Sequence, residues 1–148
     1  MTNQQIRTLF EQVRAGDVSV DQATEKLKHL PFEDLDFAKL DHHRALRHGM
    51  PEVIFGQGKT PEQIVSIAQH LLAKSQNVLA TRVSKESAEA ILEAIPEAVY
   101  HPLSRLVMVR RDFEQKGKGK ILVICAGTAD LPVAEEARFT AEMMGNEV

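Results

Sequence analysis

The chain has 148 residues, 43% of them hydrophobic and 26% charged, with a formal net charge of −3. That length holds one ordinary domain or two small ones. The balance provides no basic field for nucleic acid, and no apolar run approaches the ~20 residues that span a membrane.

In chain order, Ile6, Leu9, Phe10 and Val13 repeat at i, i+3, i+4 and i+7, one apolar helix face that ends near Gly16. The opening "MTNQQIRTLFEQVRAGD" lacks the apolar core of a signal peptide. A second helix is predicted from Ser19, carrying Val20, Ala23, Leu27 and Leu30 before Pro31, which makes a helical hairpin over residues 3–30. Phe37, Leu40, Val53, Ile54 and Phe55 are strand-like, with a break at Gly49-Met50-Pro51. Thr60-Pro61-Glu62-Gln63 supplies an N-cap, a first-turn proline and a capping-box glutamine, and Ile64, Ile67, Ala68, Leu71 and Leu72 then form one stripe. "NVLATRV" is a short strand. Ser84 caps a helix with Ala88, Ile91, Leu92 and Ile95, stopped at Pro96, and "AVYHPLSRLVMVRR" gives one or two further strands with Pro102 at an edge or a bend.

Strand, helix, strand, helix, strand over residues 50–110 is a compact α/β pattern with crossover connections. "EQKGKGK", Glu114 to Lys120, reads as a polar, glycine-rich linker. "ILVICAGTADLPVAEEA" then reads as a buried strand, a small-residue turn and a helix that Gly145-Asn146 ends, with "EV" opening another strand. The fold class is therefore α/β: a helical hairpin and a small α/β domain over residues 1–115, then residues 116–148 as linker and the first strand-turn-helix of a further open-sheet domain. About 30 residues bury too little surface to stand alone, and an apolar strand of this kind is covered on both faces in a parallel sheet. The pattern reads as a chain cut short, with Ile121–Ile124 an edge that seeks a partner.

Several short motifs carry chemistry. Gly127, Thr128, Ala129 and Asp130 stand between a strand end and a helix start, where open α/β sheets hold ligands and helix amides attract phosphate. The competing reading makes Asp130 only an N-cap, with Pro132 in the first turn. "GQGKT", Gly56 to Thr60, lacks the upstream glycine of a Walker loop, since position 53 is Val, and is better explained by the Thr60 cap, with Lys59 left as an anion contact. In "LDHHRALRHG", adjacent His42 and His43 would point to opposite sides of a strand and make a poor metal pair. A solvated loop is the default there, with Arg44 and Arg47, three apart, able to meet a phosphate together. Cys125 reads as a buried structural thiol, and Tyr100-His101-Pro102 as either an active-site edge or strand-end packing. One cysteine permits no intrachain disulfide, which fits the cytoplasm, and scattered histidines give no metal site.

"FAKLDHHRALRHGMPEVIFGQGKTPEQI", "YHPLSRLV" and "GKGKILVICAGTADLPVAEEA" together closely resemble the LarB family, over nearly the whole chain. That family consists of pyridinium-3,5-biscarboxylic acid mononucleotide synthases of nickel-pincer nucleotide biosynthesis. They join an amino-terminal domain of their own to a domain similar to PurE, the aminoimidazole ribonucleotide carboxylase, a flavodoxin-like three-layer fold. The resemblance implies carboxylation of nicotinic acid adenine dinucleotide at C5 of its pyridinium ring with CO2 or bicarbonate, then phosphoanhydride hydrolysis releasing AMP. It implies a cysteine nucleophile in the later part of the PurE-like domain, beyond Val148, so Cys125 does not match it and the chain alone is expected to be inactive. Gly127, Thr128, Ala129 and Asp130 match the first nucleotide- and carboxylate-contacting loop of PurE-like domains, with Ala129 replacing the commoner Ser and removing one hydroxyl donor. The implied partners are nicotinic acid adenine dinucleotide and, in the full-length protein, further copies in an octamer. Nucleic acid and membrane are not expected. No organic cofactor is implied, and Mg2+ is one candidate helper for the hydrolysis. The alternatives are an aminoimidazole ribonucleotide carboxylase, which would not need the preceding 115 residues, and a binding or assembly module without catalysis.

Overall fold

The computed structural model describes residues 3–28, 33–42, 44 and 50–148. They divide into two compact units, Met1–Glu52 and Val53–Val148. Residues 115 and 116, where the sequence suggests a domain junction, both lie inside the second unit.

In the first unit, helices α1 (Asn3–Ala15) and α2 (Val20–Lys28) form the expected hairpin. Gly16 ends α1 in the left-handed region at φ +86°, which favours glycine. Ser19 opens α2 with a reciprocal box: the Gln22 amide donates to Ser19 Oγ at 3.1 Å and the Ser19 amide to Gln22 Oε1 at 3.0 Å. Leu9 and Ala23 are buried, whereas Leu30 and Pro31 lie outside the described residues. Strands β1 (Glu33–Asp34) and β2 (Lys39–Leu40) pair antiparallel. Phe37, expected in a strand, sits in the turn between them and is exposed, its amide donating to the Leu35 carbonyl.

The second unit is built on β3 (Val53–Phe55), β4 (Asn77–Thr81), β5 (Val99–His101) and β6 (Leu106–Arg110), in the order β3-β4-β6-β5. β3 and β4 pair parallel, and β6 inserts antiparallel between β4 and β5. Hence β3, β4 and β5 run the same way, joined by the crossover helices α3 (Pro61–Leu72) and α4 (Lys85–Ala94). Pro102 falls at the bend between β5 and β6. Thr60 and Ser84 cap the two helices as their side chains predict, Thr60 in a full capping box with Gln63.

Cross-strand register assigns the faces. Val53, Leu79, Met108 and Val99 are successive partners and share one face, with Leu106 and His101 two positions along their strands. Ile54, Val78, Ala80, Val107 and Val109 line the other face, all buried, on the side where α3 and α4 meet β3, β4 and β5. The first face is covered by helix α5 (Leu131–Met143), whose Phe139 and Met143 join Leu79 and Leu106 in one buried cluster. Full burial of two such side chains contributes about 1.5–3 kcal/mol each.

The segment before α5 departs from the sequence pattern twice. Ile121–Ile124, expected as a buried strand, forms no strand, and Leu122 and Ile124 are 80% and 81% exposed. Its one ladder contact is a parallel bridge from Lys120 to Glu147, where the Ile121 amide donates to the Glu147 carbonyl at 2.8 Å. Strand formation needs a neighbour, and only the start of "EV" supplies one. Secondly, Glu114–Gly117 is pinned rather than a free linker. The Lys116 and Gly117 amides donate to the Gly145 carbonyl at 2.8 and 3.1 Å. A Cβ at Gly145 would lie 2.7 Å from the Glu114 carbonyl oxygen, and one at Gly117 2.6 Å from Asn146 Oδ1. These glycines permit a close crossing of two chain segments.

Candidate functional site

The GQGKT stretch is accounted for by local structure. Gly56 lies against the end of β4, its amide donating to the Thr81 carbonyl at 2.7 Å, and a Cβ there would sit 3.0 Å from the same oxygen. Gly58 turns the chain at φ +82°. Lys59 Nζ donates to the Phe55 carbonyl at 2.8 Å, and Thr60 caps α3.

Gly127–Asp130 holds a single turn of 3-10 helix, Thr128–Asp130, that runs straight into α5. Gly127 is extended. The Asp130 amide donates to the Gly127 carbonyl at 3.0 Å, and Asp130 Oδ2 accepts from the Gly127 amide at 3.3 Å. The Asp130 carboxylate thus closes the turn behind it and makes no side-chain cap on α5. Gly127, Thr128, Ala129 and Asp130 are all exposed, with the leading amides of the helix beside them. A shallow, solvent-open turn with a carboxylate, a hydroxyl and helix-start amides can receive a phosphate or ribose without rearranging a core.

Cys125, expected to be buried, is exposed, because the strand that would shelter it has no sheet around it. Arg44 pairs with Glu52 in its own unit at 3.9 Å, with its side chain 46% exposed. Arg47 lies outside the described residues, so the suggested arginine pair is described only at Arg44. The solvated-loop reading of "LDHHRALRHG" does not hold at His42, whose side chain is only 6% exposed and whose Nε2 lies 2.7 Å from Glu33 Oε2. His43 and His48 are outside the described residues. Among the described residues no three His, Cys, Asp or Glu side chains converge on one point.

His101 packs at the strand end. Its ring lies 3.8 Å from the Phe139 ring, centroid to centroid, and Arg138 stacks over the same phenyl at 3.9 Å. Burial holds the His101 pKa below the usual imidazole value, and Arg138 adds to this while Glu135 and Glu142 oppose it.

Sequence reasoning missed Arg82. Among the described residues the non-glycine positions with positive φ are Asp36, Arg82 and Arg105. Arg82, at φ +55°, follows β4, and its Nε lies 3.0 Å from Glu136 Oε2 on α5. No motif marks that pair, because its partners lie on separate elements and meet only once α5 lies across the sheet.

A model of the LarB/PurE-like N-terminal domain matches residues 32–111. The chain belongs to the LarB family. The matched span runs from the β1-β2 hairpin through the four-stranded sheet, and Gly127–Asp130 follows it. The chain is also 33% identical, over 96% of its length, to an uncharacterized protein of Methanocaldococcus jannaschii, and it spans 58% of that protein's length. The α/β architecture agrees with this family, and no described helix is long and apolar enough to cross a membrane.

Proposed function

We propose that this chain takes part in the carboxylation of nicotinic acid adenine dinucleotide at C5 of its nicotinate ring, followed by release of AMP, in nickel-pincer nucleotide biosynthesis in the cytoplasm. An electron-poor pyridinium does not attack CO2. A nucleophile adding to the ring makes an enamine, the enamine carbon bonds CO2, the ring proton leaves, and expulsion of the nucleophile restores the aromatic ring. Water then cleaves the phosphoanhydride, leaving the dicarboxylated mononucleotide and AMP. Cys125 is not assigned the nucleophile's role, and the residues of this chain are assigned binding: Thr128, Asp130 and the Gly127 and Ala129 backbone for the nucleotide, with Arg44 or Arg47 for the pyrophosphate.

The observation that carries this reading is the LarB match over residues 32–111, followed in the same chain by an exposed turn at a helix start. The turn geometry supports a binding role for Asp130, because its carboxylate does not cap α5. Titration calorimetry with nicotinic acid adenine dinucleotide tests it. Asp130→Asn removes a charged hydrogen-bonding group, so affinity is expected to fall roughly ten- to hundredfold with little change in melting temperature. Unchanged affinity with a lower melting temperature would make Asp130 a structural turn residue and end the proposal for the loop. The chain alone, given the dinucleotide and bicarbonate, is expected to release no AMP, and turnover above background would show that it holds its own nucleophile.

A further inference from the structure

We propose that Arg82 is a positioning residue that sets the place of the Gly127–Asp130 turn through Glu136. The carboxyl-terminal half of α5 is anchored by packing, with Phe139 and Met143 in the core and His101 against the Phe139 ring. The amino-terminal half is packed less deeply: Leu131 and Val133 are exposed, and Pro132, Ala134, Glu135 and Glu136 are only half-buried. Apart from bonds within α5 itself, Arg82–Glu136 is, among the described residues, the ion pair that joins residues 127–137 to the sheet. The turn's own bonds close only on itself. Its position relative to the sheet is therefore inherited from the first turns of α5, and those turns are held by Arg82.

The fold fixes the backbone that aims this side chain. Arg82 is left-handed, a conformation that L residues avoid and that persists where the surroundings determine it. On one side the Gly56 amide bonds the Thr81 carbonyl at 2.7 Å, and a Cβ at Gly56 would meet the Arg82 carbonyl oxygen at 3.3 Å. On the other, the Val83 amide donates to the carbonyl of Arg105 at 2.9 Å. The guanidinium thus leaves the sheet where β3, β4 and β5 end, the edge at which open α/β sheets place ligands. Through Glu136 it brings the start of α5 to that edge.

The test separates aiming from stability. Arg82→Gly removes the guanidinium and relieves the left-handed strain together, so the fold should melt no lower. Amide exchange of Thr128–Glu136 in this variant is expected to quicken roughly two- to fivefold, the scale of a half-exposed ion pair, while β3–β6 amides are unchanged. The charge swap Arg82→Glu with Glu136→Arg is expected to restore the slower exchange. Unchanged exchange at Thr128–Glu136 in Arg82→Gly, equal acceleration throughout the sheet, or a swap no better than either single change would each overturn the proposal. The functional consequence rests on the substrate reading of the turn given above. If that reading holds, affinity for nicotinic acid adenine dinucleotide falls in Arg82→Gly and recovers in the swap. If the unaltered chain does not bind the dinucleotide, that reading fails, and the exchange data alone decide for or against the tether.

Discussion

Gly145→Ala tests whether the crossing of Glu114–Gly117 over the end of α5 holds the second unit together. Gly145 has φ +83°, and a Cβ there would stand 2.7 Å from the Glu114 carbonyl oxygen and 3.1 Å from the Lys116 nitrogen. Gly58 is its control in the same unit, with φ +82° and nothing within 4 Å of a Cβ. Left-handed backbone alone costs an L residue about 1–2 kcal/mol, which is the whole expectation for Gly58→Ala. Gly145→Ala adds a clash with backbone that only a shift of the chain can relieve, about 1–3 kcal/mol more by analogy with overpacked cores. For a unit of this size each 1 kcal/mol lowers the melting temperature by about 4–8 °C. Calorimetry should therefore find Gly145→Ala melting at least ~4 °C below Gly58→Ala. Equal melting temperatures would mean that the crossing contributes nothing and that the stretch behaves as the flexible linker its composition suggests.

Two further outcomes are expected. Burial lowers the His101 pKa, so the packed state prefers the neutral ring, and its contribution is complete above the ordinary imidazole value and is lost as pH falls from there towards the lowered one. His101→Phe keeps a ring against Phe139 and should show a smaller loss of melting temperature between pH 7.5 and about 5; an identical pH profile would remove His101 from the account. Cys125 is exposed, and its thiol should react with a disulfide reagent in the native chain at a rate within a fewfold of that in denaturant; a strongly protected thiol would mean that the strand is sheltered after all.

Helices and caps were legible because their signals are local. Ser19, Thr60 and Ser84 each bond an amide three residues on, and such bonds depend on nothing distant. The apolar stripe of α3 likewise reports burial directly, since Ile64, Ile67, Ala68 and Leu71 are all buried. Sheet order was not legible, because nothing local says that β6 slots between β4 and β5. The exposure of Ile121–Ile124 has the same origin. Hydrophobicity states what a segment needs, and only tertiary structure states whether a partner is there. For the candidate site, the turn itself was visible from its small residues and its place before a helix. The inward His42–Glu33 contact and the Arg82–Glu136 tether were not, since each joins residues from different elements.

Helix α5 shows why position matters for the turn. Around a 3.6-residue period, Glu136, Phe139 and Met143 share one side, and that side lies on the sheet. Val133, Ala137, Ala141 and Met144 fall on an adjoining flank, rotated about 120° from the first at 3.6 residues per turn, and of these Val133 and Ala137 are exposed. A helix apolar on two flanks, preceded by the apolar but strandless segment Ile121–Ile124, calls for cover from two directions. The described residues supply it from one direction only, the four-stranded sheet of the LarB domain. The Gly127–Asp130 turn therefore takes its coordinates from that sheet, through Phe139 and Met143 by packing and through Arg82 by charge. In this arrangement the family's amino-terminal domain acts as the base against which the Gly127–Asp130 turn is set.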